Sequence, residues 1–262
     1  MMTTVLSIDV LISTYGPRVS QLFNVLHDIK ENVRYVICHQ NFESYPPDEA
    51  LLNRPDVIYI KSDTRGVTKS RNILIKNSSA DIIYFCDDDV TLSDSFDKIL
   101  RAAHSEYSDD AILFNIRDEF GEYRKDYPRE VLNKTRFNIM SVGTIEISIK
   151  GNHDPIFFPE DIGAGTELPI GDEAIYLSQF LNKKRTIRYV PHTIAIHPRE
   201  STGQEVSKVS IYSRGVALKR VFGRLSYPLA LLFLFRRKNL FKTKEGILSA
   251  MVTFFSGVYR GK

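Results

Sequence analysis

Short apolar runs alternate along this chain with stretches whose apolar residues recur every three or four positions. Residues 5–12 (VLSIDVLI), 35–38 (YVIC), 57–60, 82–86 (IIYFC) and 111–116 are of the first kind and predict buried strands. Val19, Leu22, Phe23, Leu26 and Ile29 follow helical spacing, and so do Phe96, Ile99, Leu100 and Ala103 within residues 93–107. A polar loop turning near Gly66 leads into another helix that ends about Asn77. This alternation predicts an α/β domain: a three-layer α/β/α sandwich around a mostly parallel central sheet. Such sheets bind ligands beyond the carboxyl ends of their strands. Ser13, Thr14, Asp63 and the triplet Asp87-Asp88-Asp89 all fall there.

The pattern changes after residue 116. Residues 119–134 are charged and carry tyrosines, as an insertion or mobile loop would. Residues 137–148 (FNIMSVGTIEIS) and 187–196 are strand-like, and between them glycines and prolines punctuate a long loop at 159–173. Asp172-Glu173 opens a helix that runs to Leu181. Beyond it, residues 206–221 predict a helix. The very apolar segment 227–235 is followed at once by Arg236-Arg237-Lys238, and a second apolar segment, 246–259, is closed by Arg260 and Lys262. Both are too short to span a bilayer, which takes about 20 residues.

Charge sharpens this division. The whole chain of 262 residues has a net charge of +3, but residues 208–262 hold twelve Lys or Arg against one acid, Glu245. That segment is therefore +11, and 3 − 11 leaves −8 for residues 1–207. A mildly acidic body with a basic, apolar-rich end suggests an anionic partner. No nucleic-acid recognition motif is visible, so nucleic acid is not expected and an anionic membrane surface is. A packed helical subdomain, or a homodimer formed through the C-terminal region, is the other reading. With 43% hydrophobic residues the chain suffices for one large domain plus an appendage, here residues 1–205 and 206–262. Cys38 and Cys86 sit in apolar strands and read as buried thiols of a reducing cytoplasm, and residues 1–9 show no signal-peptide pattern.

Three adjacent carboxylates at the end of a core strand repel one another, and folding alone gives no reason to collect them. A hard divalent cation such as Mg²⁺ or Mn²⁺ supplies one. On extended backbone Asp87 and Asp89 point to one side and Asp88 to the other, so the outer pair can share the metal. His197, delivered by the last strand, is a candidate third ligand. Its spacing from His192 is no zinc signature. Arg71, early in its helix, can face the same crevice. There is no Gly-rich dinucleotide fingerprint after the first strand and no phosphate loop, which argues against an NAD enzyme or P-loop NTPase.

Taken in order, Ser13-Thr14, Gly66 with Arg71-Asn72, Asp87 and Asp89, Gly163-Ala164-Gly165, Gly171-Asp172-Glu173 and His197-Pro198 resemble the motifs of family 2 glycosyltransferases with the GT-A fold, over roughly residues 4–205. The resemblance implies a metal-dependent, inverting, hexosyltransferase-like enzyme. Its donor would be a nucleotide-diphosphate sugar, UDP-sugar favoured, and its acceptor a glycan or lipid-linked glycan of surface polysaccharide synthesis. It would be cytoplasmic and peripheral on the inner face of the cell membrane. Asp87, Asp89 and His197 would hold Mn²⁺ or Mg²⁺. Ser13, Thr14, Asp63 and Arg71 would contact the nucleotide, with Asp88 addressing a sugar hydroxyl. The family's loop ends Glu-Asp, whereas here the order is Asp172-Glu173, so Glu173 is the favoured base and Asp172 the alternative. The second strand ends Cys38-His39-Gln40 where many members have an Asp near the uracil. A sugar nucleotidyltransferase and a non-catalytic carbohydrate-binding or assembly protein of the same fold are the rival readings.

Overall fold

The computed structural model describes residues 5–151, 154–198, 206–241 and 246–261. Its strands are β1 (Ile8–Tyr15), β2 (Val33–Gln40), β3 (Val57–Ser62), β4 (Ile82–Asp87), β5 (Thr91–Leu92), β6 (Ala111–Arg117), β7 (Leu132–Asn133), β8 (Ile147–Lys150) and β9 (Ile187–Ile196). The helices are α1 (Glu49–Leu52), α2 (Val67–Asn77), α3 (Phe96–Glu106), α4 (Asp172–Asn182), α5 (Lys208–Phe222), α6 (Ser226–Arg236) and α7 (Ile247–Arg260). The strands form one sheet of order β3-β2-β1-β4-β8-β6-β9-β5, with β7 added beside β9. Strands β3, β2, β1 and β4 are parallel, as are β6 and β9, while β8 runs antiparallel between β4 and β6. The result is the expected α/β architecture, with a sheet that is mixed rather than purely parallel.

Side chains along a strand alternate between faces, and here they feed two cores. Leu11, Val36, Cys38 and Phe85 enter one together with α2, α4 and the C-terminal helices. Val10, Ile12, Tyr35, Ile37 and Tyr84 enter the other with α3. Within the first core Phe158 stacks on Tyr176 at 3.9 Å between ring centroids, and Phe85 meets both edge-on. Asn72 binds this layer to α2: it donates to the Phe158 carbonyl at 2.9 Å and accepts from the Phe158 amide at 2.8 Å.

Two local expectations fail. Residues 19–29 do not form an α-helix: a 3-10 helix runs over Gly16–Asn24, and Ile29 is 61% exposed. The buried positions Val19, Leu22 and Val25 are three apart, the period of that tighter helix. In residues 137–148 only the end enters a strand, β8, after a 3-10 turn at Thr144–Glu146. Glu146, whose carboxylate accepts from the Gly143 amide at 3.0 Å, locks that turn. β1 also runs longer than expected and includes Ser13 and Thr14, because β4 pairs with it as far as Ser13 and β2 as far as Tyr15. The boundary expected after residue 205 lies outside the described residues.

The C-terminal helices share the first core with the sheet. α5 and α7 approach closely through glycines: a Cβ on Gly215 would meet the Phe254 carbonyl oxygen at 2.3 Å, and one on Gly257 the Tyr212 carbonyl oxygen at 2.3 Å. Phe233 of α6 stacks on Phe254 of α7 at 5.2 Å. Gly257→Val should therefore force the two helices apart and cost about 1–3 kcal/mol. A lower urea midpoint with unchanged slope is the expected result.

Candidate active site

A cleft of about 820 Å³ opens beyond the carboxyl ends of β1, β2 and β4, and Ser13, Thr14, Arg71, Asp87, Asp88, Asp89, Asp172, Glu173 and His197 all line it. Every candidate from the sequence is present except Asp63, which is exposed and lies outside this lining. At that edge Ser62 and Thr64 share a hydroxyl contact of 2.8 Å, and Gln40 donates to Thr64 at 2.8 Å and to the Gly66 carbonyl at 3.2 Å. Gln40 is thus the cleft residue at the end of β2. His39 turns into the interior between the Gly16 carbonyl and the Tyr59 hydroxyl.

The strand end separates the three acids as extended backbone requires. Ligand atoms of Asp87, Asp89 and His197 lie within 4.8 Å of one another. Asp88 faces the other way and is buried, accepting from Thr14 Oγ1 at 2.7 Å and from Arg18 Nε at 2.8 Å. Asp88 therefore anchors Thr14 and Arg18, which takes up the oxygens it would otherwise offer to a substrate. Arg18 also donates to Asp89 Oδ2 at 2.9 Å.

The donor set suits a divalent cation: two carboxylates and an imidazole, with hard oxygens in the majority. Asp89 Oδ1 supplies a further sign. It lies 3.3 Å from His197 Nε2, close enough for an ion pair but off hydrogen-bond geometry, and is buried with no hydrogen-bond partner. Such an oxygen is costly to leave unsatisfied. His197 pulls the Asp89 carboxyl down to about 2, burial opposes it, and Arg18 adds to the pull. Burial works against the His197 imidazolium, but Asp89, the Pro198 carbonyl and Asp87 together raise its pKa. Burial also raises Asp87, against the pull of Arg71.

Arg71 is the second hub. Buried on α2 beneath the Phe158 ring at 5.4 Å, it donates to Asp172 Oδ2 at 2.8 Å and stands 3.4 Å from Asp87 Oδ1. It joins Asp87, at the end of β4, to the first turn of α4 instead of pointing freely at a ligand. Burial and the adjacent Glu173 push Asp172 up, while Arg71 pulls it back. Glu173 is less buried than Asp172 and accepts from Thr144 Oγ1 at 2.8 Å. The turn presenting this pair needs Gly171, whose φ is +112° and whose Cβ would meet Ala217 Cβ at 2.4 Å. From α5, Ser213 donates to the Ile170 carbonyl at 2.6 Å and accepts from the Ile170 amide at 3.2 Å.

Sequence reasoning missed the far wall of the cleft. Lys125 holds the buried Glu146 carboxylate at 2.6 and 2.7 Å, and Arg124 reaches His197 Nδ1 and the carbonyls of His197 and Pro198. Both basic residues lie in the charged 119–134 stretch, where nothing marks them out from surface lysines and arginines. Arg18, two positions past Gly16, carried an equally weak signal.

The profile of Glycosyl transferase family 2 matches residues 31–160, which contain the Asp triplet and Arg71. Through that segment the chain belongs to glycosyl transferase family 2. It is a glycosyltransferase of the GT-A class. No curated protein sequence matches it. Among solved structures, S. aureus TarS 1-349 is similar, at 17% identity and a TM-score of 0.65, over 97% of this chain and 81% of that one. The same TarS segment in complex with UDP-GlcNAc gives a TM-score of 0.65 at 17% identity, covering 97% of this chain and 82% of that one. Against a longer TarS structure the TM-score is 0.63 at 17% identity, over 97% of this chain and 49% of that one, so the family 2 chain spans about half of the longer protein. At this identity the likeness to TarS concerns the fold.

The Asp89–His197 pair should leave a pH signature in metal-free protein. The Asp89 contribution is complete above the ordinary carboxylate value of about 4 and is lost as pH falls through its lowered one. The His197 contribution is complete below about 6.5 and is lost as pH rises through its raised value. With a chelator present, His197→Gln should therefore destabilise most between about pH 4 and 6.5 and less at pH 9. Urea midpoints of both proteins across that range check this; a pH-independent difference would count against the pair.

Proposed function

We propose that this chain is a metal-dependent inverting glycosyltransferase that moves a sugar from a nucleotide-diphosphate donor to a hydroxyl of a glycan or lipid-linked acceptor in surface polysaccharide synthesis. The observation that carries this reading is the division of labour within one cleft. Asp87, Asp89 and His197 converge on one point, while of the two acids opening α4 it is Asp172 that takes the direct ion pair with Arg71. A uridine donor is favoured because TarS, which shares the fold, has been captured with UDP and with UDP-GlcNAc. We assign residues 1–205 to the catalytic unit and residues 206–262 to a helical region that clamps its base-bearing turn.

Mn²⁺ or Mg²⁺ held by Asp87, Asp89 and His197 would bind the donor diphosphate and offset the charge that grows on it as it leaves. Ser13 and Thr14 border the donor side of the cleft, with Thr14 oriented by Asp88. Glu173 accepts the proton of the acceptor hydroxyl as that oxygen attacks the face of the sugar opposite the diphosphate. One carboxylate suffices, because a diphosphate leaves without being protonated. The hydrogen bond from Thr144 orients the Glu173 carboxylate. Asp172 instead acts on position: its ion pair with Arg71 ties the base-bearing turn to the strand end that bears Asp87.

Two substitutions separate these roles. Glu173→Gln should lower kcat by about 10²–10⁴ with the donor KM unchanged, and a near-normal rate would remove it as the base. Asp89→Ala should abolish the Mn²⁺-dependent rise in melting temperature that UDP gives the wild-type chain. A screen of nucleoside diphosphates by thermal shift, with and without Mn²⁺, reads donor and metal together.

A further inference from the structure

The outward faces of α6 and α7 take no part in the cleft. On α6, Leu225 at the N-cap with Pro228, Leu231, Leu232 and Phe235 falls within about 120° of arc at the helical 100° per residue. All five are exposed, and Phe235 is 88% exposed. On α7, Leu248, Val252 and Tyr259 form a second exposed stripe, with Leu248 at 76%. The opposite faces carry Ala230, Ala250, Phe254 and Val258 into the core. The two helices thus have an inner apolar face that folding uses and an outer one that it does not.

Charge decides what covers the outer face. Exposed Arg224, Arg236 and Arg237 bracket the α6 stripe and exposed Arg260 closes α7, within a segment that is +11. A second copy of the chain would bring the same positive rim against this one. An anionic lipid surface supplies the opposite charge together with an apolar layer for Leu and Phe. Neither helix spans such a layer, because no helix among the described residues is long and apolar enough to cross a membrane. We propose that α6 and α7 lie in the headgroup plane of an anionic bilayer, with these stripes turned into it and the arginines on lipid phosphates. This holds the cleft at the membrane surface. It does not depend on the assignment of the sugar donor or the base.

The test is co-sedimentation of the full chain with vesicles of phosphatidylcholine alone or mixed with phosphatidylglycerol. Deleting the helices would uncover the α5–α7 contact, so exposed side chains are changed instead. The wild-type chain should pellet with the anionic vesicles, stay in solution with the neutral ones, and release in high salt. Leu231→Ser, Phe235→Ser and Leu248→Ser should each weaken binding by about tenfold without lowering the melting temperature. Arg224→Gln with Arg236→Gln should weaken it and flatten its salt dependence. Failure of the wild-type chain to pellet with anionic vesicles, or undiminished binding by the serine variants, would overturn the proposal. So would a dimer in sedimentation equilibrium that the serine variants dissolve, which would give the face to a second copy.

Discussion

Negative charge gathered at the end of β4 sets the terms for the rest of the molecule. Asp87, Asp88 and Asp89 sit where a core strand leaves the sheet, with Asp172 and Glu173 arriving on α4. Such a cluster folds only with positive charge around it. Arg18 serves Asp88 and Asp89, Arg71 serves Asp87 and Asp172, and His197 leans on Asp89. Each cation comes from a different element, so the balance exists only once the sheet is assembled. Asp89 Oδ1 stays buried without a hydrogen bond, and one more cation would satisfy it.

The same constraint explains why the C-terminal helices belong to the enzyme. Gly171 holds a conformation that side-chain-bearing residues avoid, and its contact with Ala217 leaves no room for a Cβ. Ser213 fastens the neighbouring Ile170 backbone through two hydrogen bonds. α7 in turn holds α5 through the paired glycines. The orientation of Glu173 therefore depends on packing that begins almost ninety positions further along the chain, at the close of α7. The basic, apolar-rich C-terminal helices thus pack their inner faces into the core beneath the turn that holds Gly171.

Much of this was legible in the residues. Buried strands such as β4 and β9 declare themselves because a continuous apolar run has few other places to go, and β9 begins and ends where the pattern does. The acid triplet declares itself because like charges at a strand end need a reason. Where periodicity was ambiguous the reading slipped. Residues 19–29 satisfy a helical repeat on paper, but the sheet accepts only every third residue from them. Residues 137–148 look like a strand until Glu146 is seen closing a turn on Gly143.

Sequence alone determined the α/β layering, the set of acids and the imidazole that meet in the cleft, and the charge contrast between body and C-terminal end, because these follow from local pattern and composition. Tertiary structure decided which partner each acid takes. Asp88 turns to Thr14 and Arg18, Asp172 turns to Arg71, and Glu173 is left facing the cleft. It also brought Arg124, Lys125 and Glu146 to the far wall and left Asp63 outside. Partners dozens of residues apart make those choices, and no local pattern encodes the distance between them.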